Sequence, residues 1–250
     1  MGIEDFLLAA LLGLIGGSFA SAVSYRLPRG LPIGAARSAC TSCGAPLGPL
    51  DLVPVLSWTL RRGRCGHCGA SVSWRYPLIE VATAAAFVLV LWAEEGHWLP
   101  AALLMVIAVI LMTAAVIDLE FGILPDKLHI AAAPFALAYR WLLDGTPWPA
   151  LIGAAAGYAA GLALLYGFKL VTGREGLGRG DVKFLAVAGL LLQPEQWVAF
   201  PLIAGVAGVV TGLLWRASGR GVEFPFGPAL IGALFVCLLL PGNTLGALGN

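Results

Sequence analysis

Charge is what this sequence has least of. Only 12% of its 250 residues are Asp, Glu, Lys or Arg, against 59% hydrophobic residues, and the mean hydropathy is +0.89. That scarcity excludes an ordinary soluble globular domain, in which about a quarter of the residues are charged. The net charge of +1 supplies no field to gather an acidic polymer, so no nucleic-acid partner is implied. Positive charge is also missing ahead of the first apolar run, where Glu4 and Asp5 stand, while Arg26 and Arg29 follow the run. A secretory signal has the reverse flanks. The run therefore reads as a retained spanning helix with its N-terminus outside, despite the cleavage-like Ala20-Ser21-Ala22.

Apolar sequence is what the chain has in quantity. Segments long enough to cross about 30 Å of hydrocarbon fall near residues 5–25, 78–94, 99–117, 128–143, 149–170, 183–193, 197–215 and 226–241. The expected fold is an all-α polytopic membrane protein of about eight transmembrane helices. If all eight cross, every basic residue except Arg140 falls on one side, while Glu94, Glu95, Asp144 and Glu195 lie in loops on the other. The excess of positive charge makes the basic side cytoplasmic. Dropping the sixth and shortest segment would move Arg216 and Arg220 outside, which favours keeping it. Gly153, Gly157 and Gly161 recur at every fourth position and predict a helix face that a neighbouring backbone approaches closely.

One substantial polar block interrupts the pattern. The chain divides into a first helix (1–25), a cytoplasmic insert (26–77) and a seven-helix domain (78–250). The insert holds four of the five cysteines as two knuckles, "CTSCGA" and "CGHCGA", with Gly44 and Gly69 after the second cysteine of each. Cys40, Cys43, Cys65 and Cys68 make a closed tetrahedral thiolate site suited to structural zinc, and an insert this small needs such a staple. Two disulfides are the rival reading, disfavoured in a reducing compartment. His67, inside the second knuckle, competes as a ligand or is a solvated loop residue. Cys237, in the last apolar segment, is expected to be a small buried hydrophobe.

The acids near the membrane are few, and each is costly there. Asp118 closes the third predicted span, Glu120 follows it, and Glu175 precedes a glycine-rich stretch, "GLGRGDVKF", in which Asp181 opens the sixth span. Asp126 after Pro125 reads first as an N-cap of the fourth span, Asp181 has the same alternative, and Lys183 has the alternative of an interface anchor. Asp118 has no such role, because a carboxylate at a helix C-terminus opposes the macrodipole. The topology brings Asp118 and Asp181 to the same cytoplasmic depth. Two carboxylates together share a proton, the arrangement in which one activates water and the other polarises a peptide carbonyl.

"GSFASAVSYRLPRG", the two CxxC pairs, "GRCGHCGASVSWRYPLIE", "DLEFGILPD" and "GLGRGD" together resemble the type IV prepilin peptidases, and the likeness runs over nearly the whole chain. The resemblance implies a bifunctional aspartic endopeptidase of the bacterial inner membrane. It would cleave the basic leader of a prepilin or pseudopilin at the cytoplasmic boundary and methylate the new N-terminus with S-adenosylmethionine. The GxGD signature is Gly178-Arg179-Gly180-Asp181, and the catalytic pair of the family maps onto Asp118 and Asp181, with Asp126 a supporting residue. No Gly-rich methyltransferase fingerprint follows a strand, so a methylation site would be built from the insert and membrane-facing loops, with Glu80 as its candidate residue. Ala22 stands where the family often has Asn. Gly178 and Gly180 are expected to let backbone approach the site, and Lys183 to steer substrate, tune the pair or anchor the helix. A transporter with proton-carrying acids and a zinc docking module is the alternative, and a membrane scaffold with a zinc ribbon is a third.

Overall fold

Every one of the eight apolar segments becomes a helix in the computed structural model, which describes residues 1–34, 37–174, 176–219, 221 and 224–240. The helices are α1 (Ile3–Arg26), a short α2 (Leu56–Leu60) within the insert, α3 (Arg75–Ala93), α4 (Trp98–Phe121), α5 (Asp126–Asp144), α6 (Trp148–Thr172), α7 (Arg179–Leu191), α8 (Gln196–Ala217) and α9 (Gly227–Leu239). Glu175, Arg220 and the end of the last predicted span lie outside the described residues.

Five helices, α1, α3, α4, α6 and α8, are long and apolar enough to cross a membrane. The other three differ for reasons visible in their residues. α5 carries Lys127, His129, Arg140 and Asp144, while α7 and α9 have 13 residues each. At 1.5 Å per residue, 13 residues reach only about 20 Å.

α4 is the hub, packed on α1, α3, α5 and α9, while α7 lies between α5 and α6, and α8 lies along α9. Leu104, Ile107, Leu111 and Ile117 bury the inner faces of α4. Lipid is as apolar as leucine, so helix association here depends on close packing. α1 and α3 achieve it at Gly13 and Gly17, where an added Cβ would lie 2.5 Å from the Cα of Ala84 and of Glu80 respectively. α6 and α7 achieve it as the glycine spacing predicts: Gly153 meets the Gly189 carbonyl, Gly157 the Leu185 carbonyl, and Gly161 the backbone of Val182.

At the end of the bundle away from the glycine-rich stretch, polar groups are buried rather than exposed. Glu94, fully buried, accepts a 2.7 Å hydrogen bond from the Tyr139 hydroxyl. Arg140, the lone basic residue of its side by sequence, is itself buried and pairs with Asp144 at 2.7 Å.

Candidate active site and thiol cluster

Four helix ends meet at one point. α4 continues one turn beyond Asp118 before Gly122 (φ 66°) ends it, so Asp118 lies within the helix instead of closing it. The reason is a partner the sequence argument did not supply. The Asp118 carboxylate accepts a 2.8 Å hydrogen bond from the Gly227 amide, the first residue of α9. The positive end of α9 thus offsets the unfavourable end of α4. The fit is tight, since a Cβ on Gly227 would lie 2.6 Å from Asp118 Oδ2 and 3.2 Å from Leu124.

Leu124 bridges the rest of the site. A Cβ on Gly180 would lie 3.0 Å from Leu124 Cβ, so the segment between α4 and α5 is wedged between the N-termini of α7 and α9. Asp181, in the first turn of α7, accepts a 3.0 Å hydrogen bond from the Gly178 amide, so it caps its own helix. It also lies within electrostatic reach of Asp118. Asp126 is not an N-cap: Pro125 occupies that position without a side-chain cap, and Asp126 instead binds Lys183 Nζ at 2.6 Å. A proline side chain offers no acceptor at the cap, and the exposed Asp126 carboxylate pairs with the cation of α7.

A second set of polar groups sits at the base of the insert. Arg75, at the start of α3, forms an ion pair with Glu120 and donates a 2.7 Å hydrogen bond to the Ser24 hydroxyl. It therefore ties α3 and α1 to α4 two residues from Asp118. Glu80 is buried one turn further along α3 and accepts a 2.7 Å hydrogen bond from the Val55 amide. Val55 has φ 60° and ψ −48°, a strained γ-turn closed by Leu56 N–H to Pro54 O at 2.5 Å. Glu80 also lines a cavity of about 630 Å³ enclosed by the insert and the ends of α1 and α3, shared with Ala22, Tyr25, Trp58, Arg64 and Tyr76.

Cys40 and Cys65, two members of the thiol cluster, also line that cavity. Each knuckle closes on itself through the same pair of hydrogen bonds: Cys40 N–H to Ala45 O with Gly44 N–H to Cys40 O, and Cys65 N–H to Ala70 O with Gly69 N–H to Cys65 O. The four Sγ atoms lie within 4.8 Å of one another and none is in a disulfide. Thiolates around a tetrahedral zinc stand about 3.8 Å apart, so the cluster is close to the size the ion demands. Backbone amides of Cys43 and Ser42 draw the Cys40 thiol down to about 6. The Ala70 amide pulls on Cys68 in the same sense, but its neighbouring sulfurs, Cys43 foremost, win and push it up to about 11. Four thiols so crowded ionise together only around a cation. The His67 ring is not part of the cluster; only its amide approaches, at 3.4 Å from Cys65 Sγ.

Two family models match the chain. Residues 11–94 fit the bacterial peptidase A24 N-terminal domain, and residues 105–213 fit the type IV leader peptidase family. The chain is 40% identical to a prepilin leader peptidase/N-methyltransferase of Burkholderia pseudomallei (strain K96243), over 89% of this chain and 81% of that protein. The chain belongs to the type IV leader peptidase family. Proteins of the same name in Dickeya chrysanthemi (38% identical, 94% of this chain, 92% of the relative) and Neisseria gonorrhoeae (33%, 89% and 86%) are also similar. No solved structure matches. Membership decides among hydrolase, transporter and docking scaffold in favour of the hydrolase.

Of the residues singled out by sequence, Asp118, Asp181, Gly180, Asp126 and Lys183 gather around the α4–α5 segment, and the cysteines cluster apart from them. Glu80 joins the insert. Sequence reasoning missed Gly227, Leu124, Val55 and Arg75. Gly227 had one available signal, since a glycine followed by proline before an apolar run marks a helix start. Ala22, which stands where the family often has Asn, lines the cavity.

Proposed function

We propose that this family member removes the basic leader of a type IV prepilin or pseudopilin, with Asp118 and Asp181 as the catalytic pair. The single observation that carries the assignment is their convergence, from helices distant in sequence, onto Leu124, which packs against both Gly180 beside Asp181 and Gly227, whose amide holds Asp118. One carboxylate, ionised, takes a proton from water as the water oxygen adds to the scissile carbonyl carbon. The other, protonated, donates a hydrogen bond to the carbonyl oxygen. Collapse of the tetrahedral adduct breaks the C–N bond and the leaving amine takes up a proton. The Gly227 and Gly178 amides hold one oxygen of each acid and leave the second oxygens for this work.

The basic ends of the helices support a multi-pass bacterial inner-membrane placement, with the N-terminus outside and the pair facing the cytoplasm. The substrate's apolar segment would lie in the lipid bilayer. The insert (26–77) holds structural Zn2+ on Cys40, Cys43, Cys65 and Cys68, and the helices from 78 onward, with α1, form the peptidase. The names of the relatives support a second step, N-methylation of the new N-terminus. When bound, S-adenosylmethionine supplies a sulfonium methyl carbon to a free amine and leaves as the neutral thioether. Residues of both charge signs and aromatic faces around Glu80 suit such a zwitterionic nucleoside.

Purified protein incubated with a prepilin tests the pair. Asp118→Asn and Asp181→Asn keep size and remove the ionisable groups. Undiminished cleavage in either variant would remove that residue from the mechanism. Mass spectrometry of the product's N-terminus tests methylation separately.

A further inference from the structure

We propose that the segment of the insert from Pro49 to Arg62 is a membrane-surface element: Leu50, Leu56 and Leu60 enter the lipid leaflet on the insert's side, and Arg62 meets its anionic headgroups. This rests on the membrane placement above and goes beyond it by taking part of the insert out of the aqueous phase.

The distribution of apolar surface is the first argument. Leu50 is 80% exposed, Leu60 75% and Leu56 53%, and Trp74, the N-cap of α3, is exposed as well. Among the described residues, no large hydrophobic side chain is exposed from 37 to 49 or from 61 to 73, the stretches that carry the two knuckles. On a spanning helix an exposed leucine faces lipid and needs no further account. Three of them gathered in one short segment of a polar insert form a patch that water does not favour.

Level is the second. The segment does not stand clear of the bundle. Val55, which begins α2, donates its amide to Glu80, whose Cα lies about 7 Å along α3 from Arg75. Helical side chains lean toward the start of their helix, so Val55 sits beside the first turn and a half of α3. In that stretch Leu78, and one turn on Val81, already point outward from the bundle. On the other side, Leu52, Ser57 and Trp58 border the same cavity as Ser18, which lies about 12 Å before the end of α1 at Arg26. The headgroup layer is about 5–8 Å deep on each side of the hydrocarbon. An element that reaches this far along two spanning helices is at the level of headgroups and upper acyl chains.

Charge is the third. Leu60 is followed by Arg61 and Arg62, both exposed. Arg61 forms an ion pair with Asp51. Arg62 (φ 51°) and Gly63 (φ 65°) then turn the chain back toward the second knuckle, so the excursion is short and ends at guanidinium groups. Exposed leucines closed by arginines, with a tryptophan at the same boundary, make the composition of elements that lie in a membrane interface. The substrate's apolar segment is the rival occupant. The contacts of this segment are with α1 and α3, whereas the two aspartates are held at the starts of α7 and α9, which favours lipid.

The test uses full-length, zinc-loaded protein in nanodiscs of phosphatidylcholine and phosphatidylglycerol, with a trace of phosphatidylglycerol carrying a diazirine near the top of an acyl chain. After irradiation, adducts are mapped by mass spectrometry. They are expected on Leu50, Leu56 or Leu60 as well as on Leu78 and Val81, with none on the knuckles. Adducts on Leu78 and Val81 without any on the segment overturn the proposal. A chain with no adducts on α1 or α8 defeats the membrane placement itself, a separate failure. Leu50→Asp combined with Leu60→Asp alters two exposed side chains and leaves the core alone. It is expected to cut labelling of the segment at least about fivefold with zinc content unchanged, and undiminished labelling overturns the insertion. The same diazirine on phosphatidylcholine is expected to label the segment at least about threefold less, a difference that Arg62→Gln abolishes; equal labelling by the two lipids in wild type overturns the role of Arg62. Loss of the segment's adducts on addition of a prepilin, with those on Leu78 and Val81 retained, overturns the proposal in favour of the substrate.

Discussion

The insert and the α4–α5–α7–α9 junction solve the same problem, fixing a few polar groups in place, by opposite means. The insert has little apolar core, so it depends on four sulfurs brought within 4.8 Å and two hairpin knuckles. The junction has no such staple. It fixes its carboxylates with single backbone amides, and glycines let those amides come close enough. The difference teaches that the insert, with the zinc proposed for it, should be labile to chelators and oxidants, whereas the junction should be labile to single added methyl groups.

The sharpest way to break this comparison is at the acids. Asp118→Asn and Asp181→Asn should each lower cleavage by about 10³-fold with the helices intact by circular dichroism. Next in size, removing the metal with a chelator, or substituting Cys40→Ser, should unfold the insert, since structural zinc supplies about 10–16 kcal/mol in small domains. Limited proteolysis should then cut within the insert while α4 and α9 stay protected; equal protection throughout would refute the division. Gly227→Val should cost cleavage about 10²-fold by moving Asp118, with substrate affinity little altered, as expected for misplacement of about 1 Å. Gly180→Ala, whose Cβ meets Leu124 at 3.0 Å, should cost less, about tenfold. The smallest effect belongs to Lys183→Met. Its pair with Asp126 is half-exposed and should contribute no more than about 1 kcal/mol to stability. A large loss of cleavage in this variant at unchanged stability would move the pair into the catalytic site.

The helices were legible because apolar length and glycine spacing are local signals. Gly153, Gly157 and Gly161 announced the α6–α7 contact, and the CxxC spacing announced the cluster. The acids were legible through cost, since a carboxylate beside hydrocarbon needs a reason. What sequence could not convey were partners that carry no side-chain signal. The amide that holds Asp118 belongs to a glycine, and the amide that holds Glu80 is aimed by an unusual turn at a valine. Lys183 had three plausible tasks until Asp126, on another helix, became its neighbour. Arg140 looked like a stray charge because burial depends on which helices surround it, and that is a tertiary fact.

The bond between Asp118 and Gly227 spans 109 residues of sequence. As the chain emerges from the ribosome, Asp118 enters the bilayer long before α9 exists to receive it, so this acid is the last of the site's groups to be settled. The peptidase is thus assembled in an order that withholds a finished site until the final helix arrives, and a chain cut short before α9 carries both aspartates without the means to aim one of them.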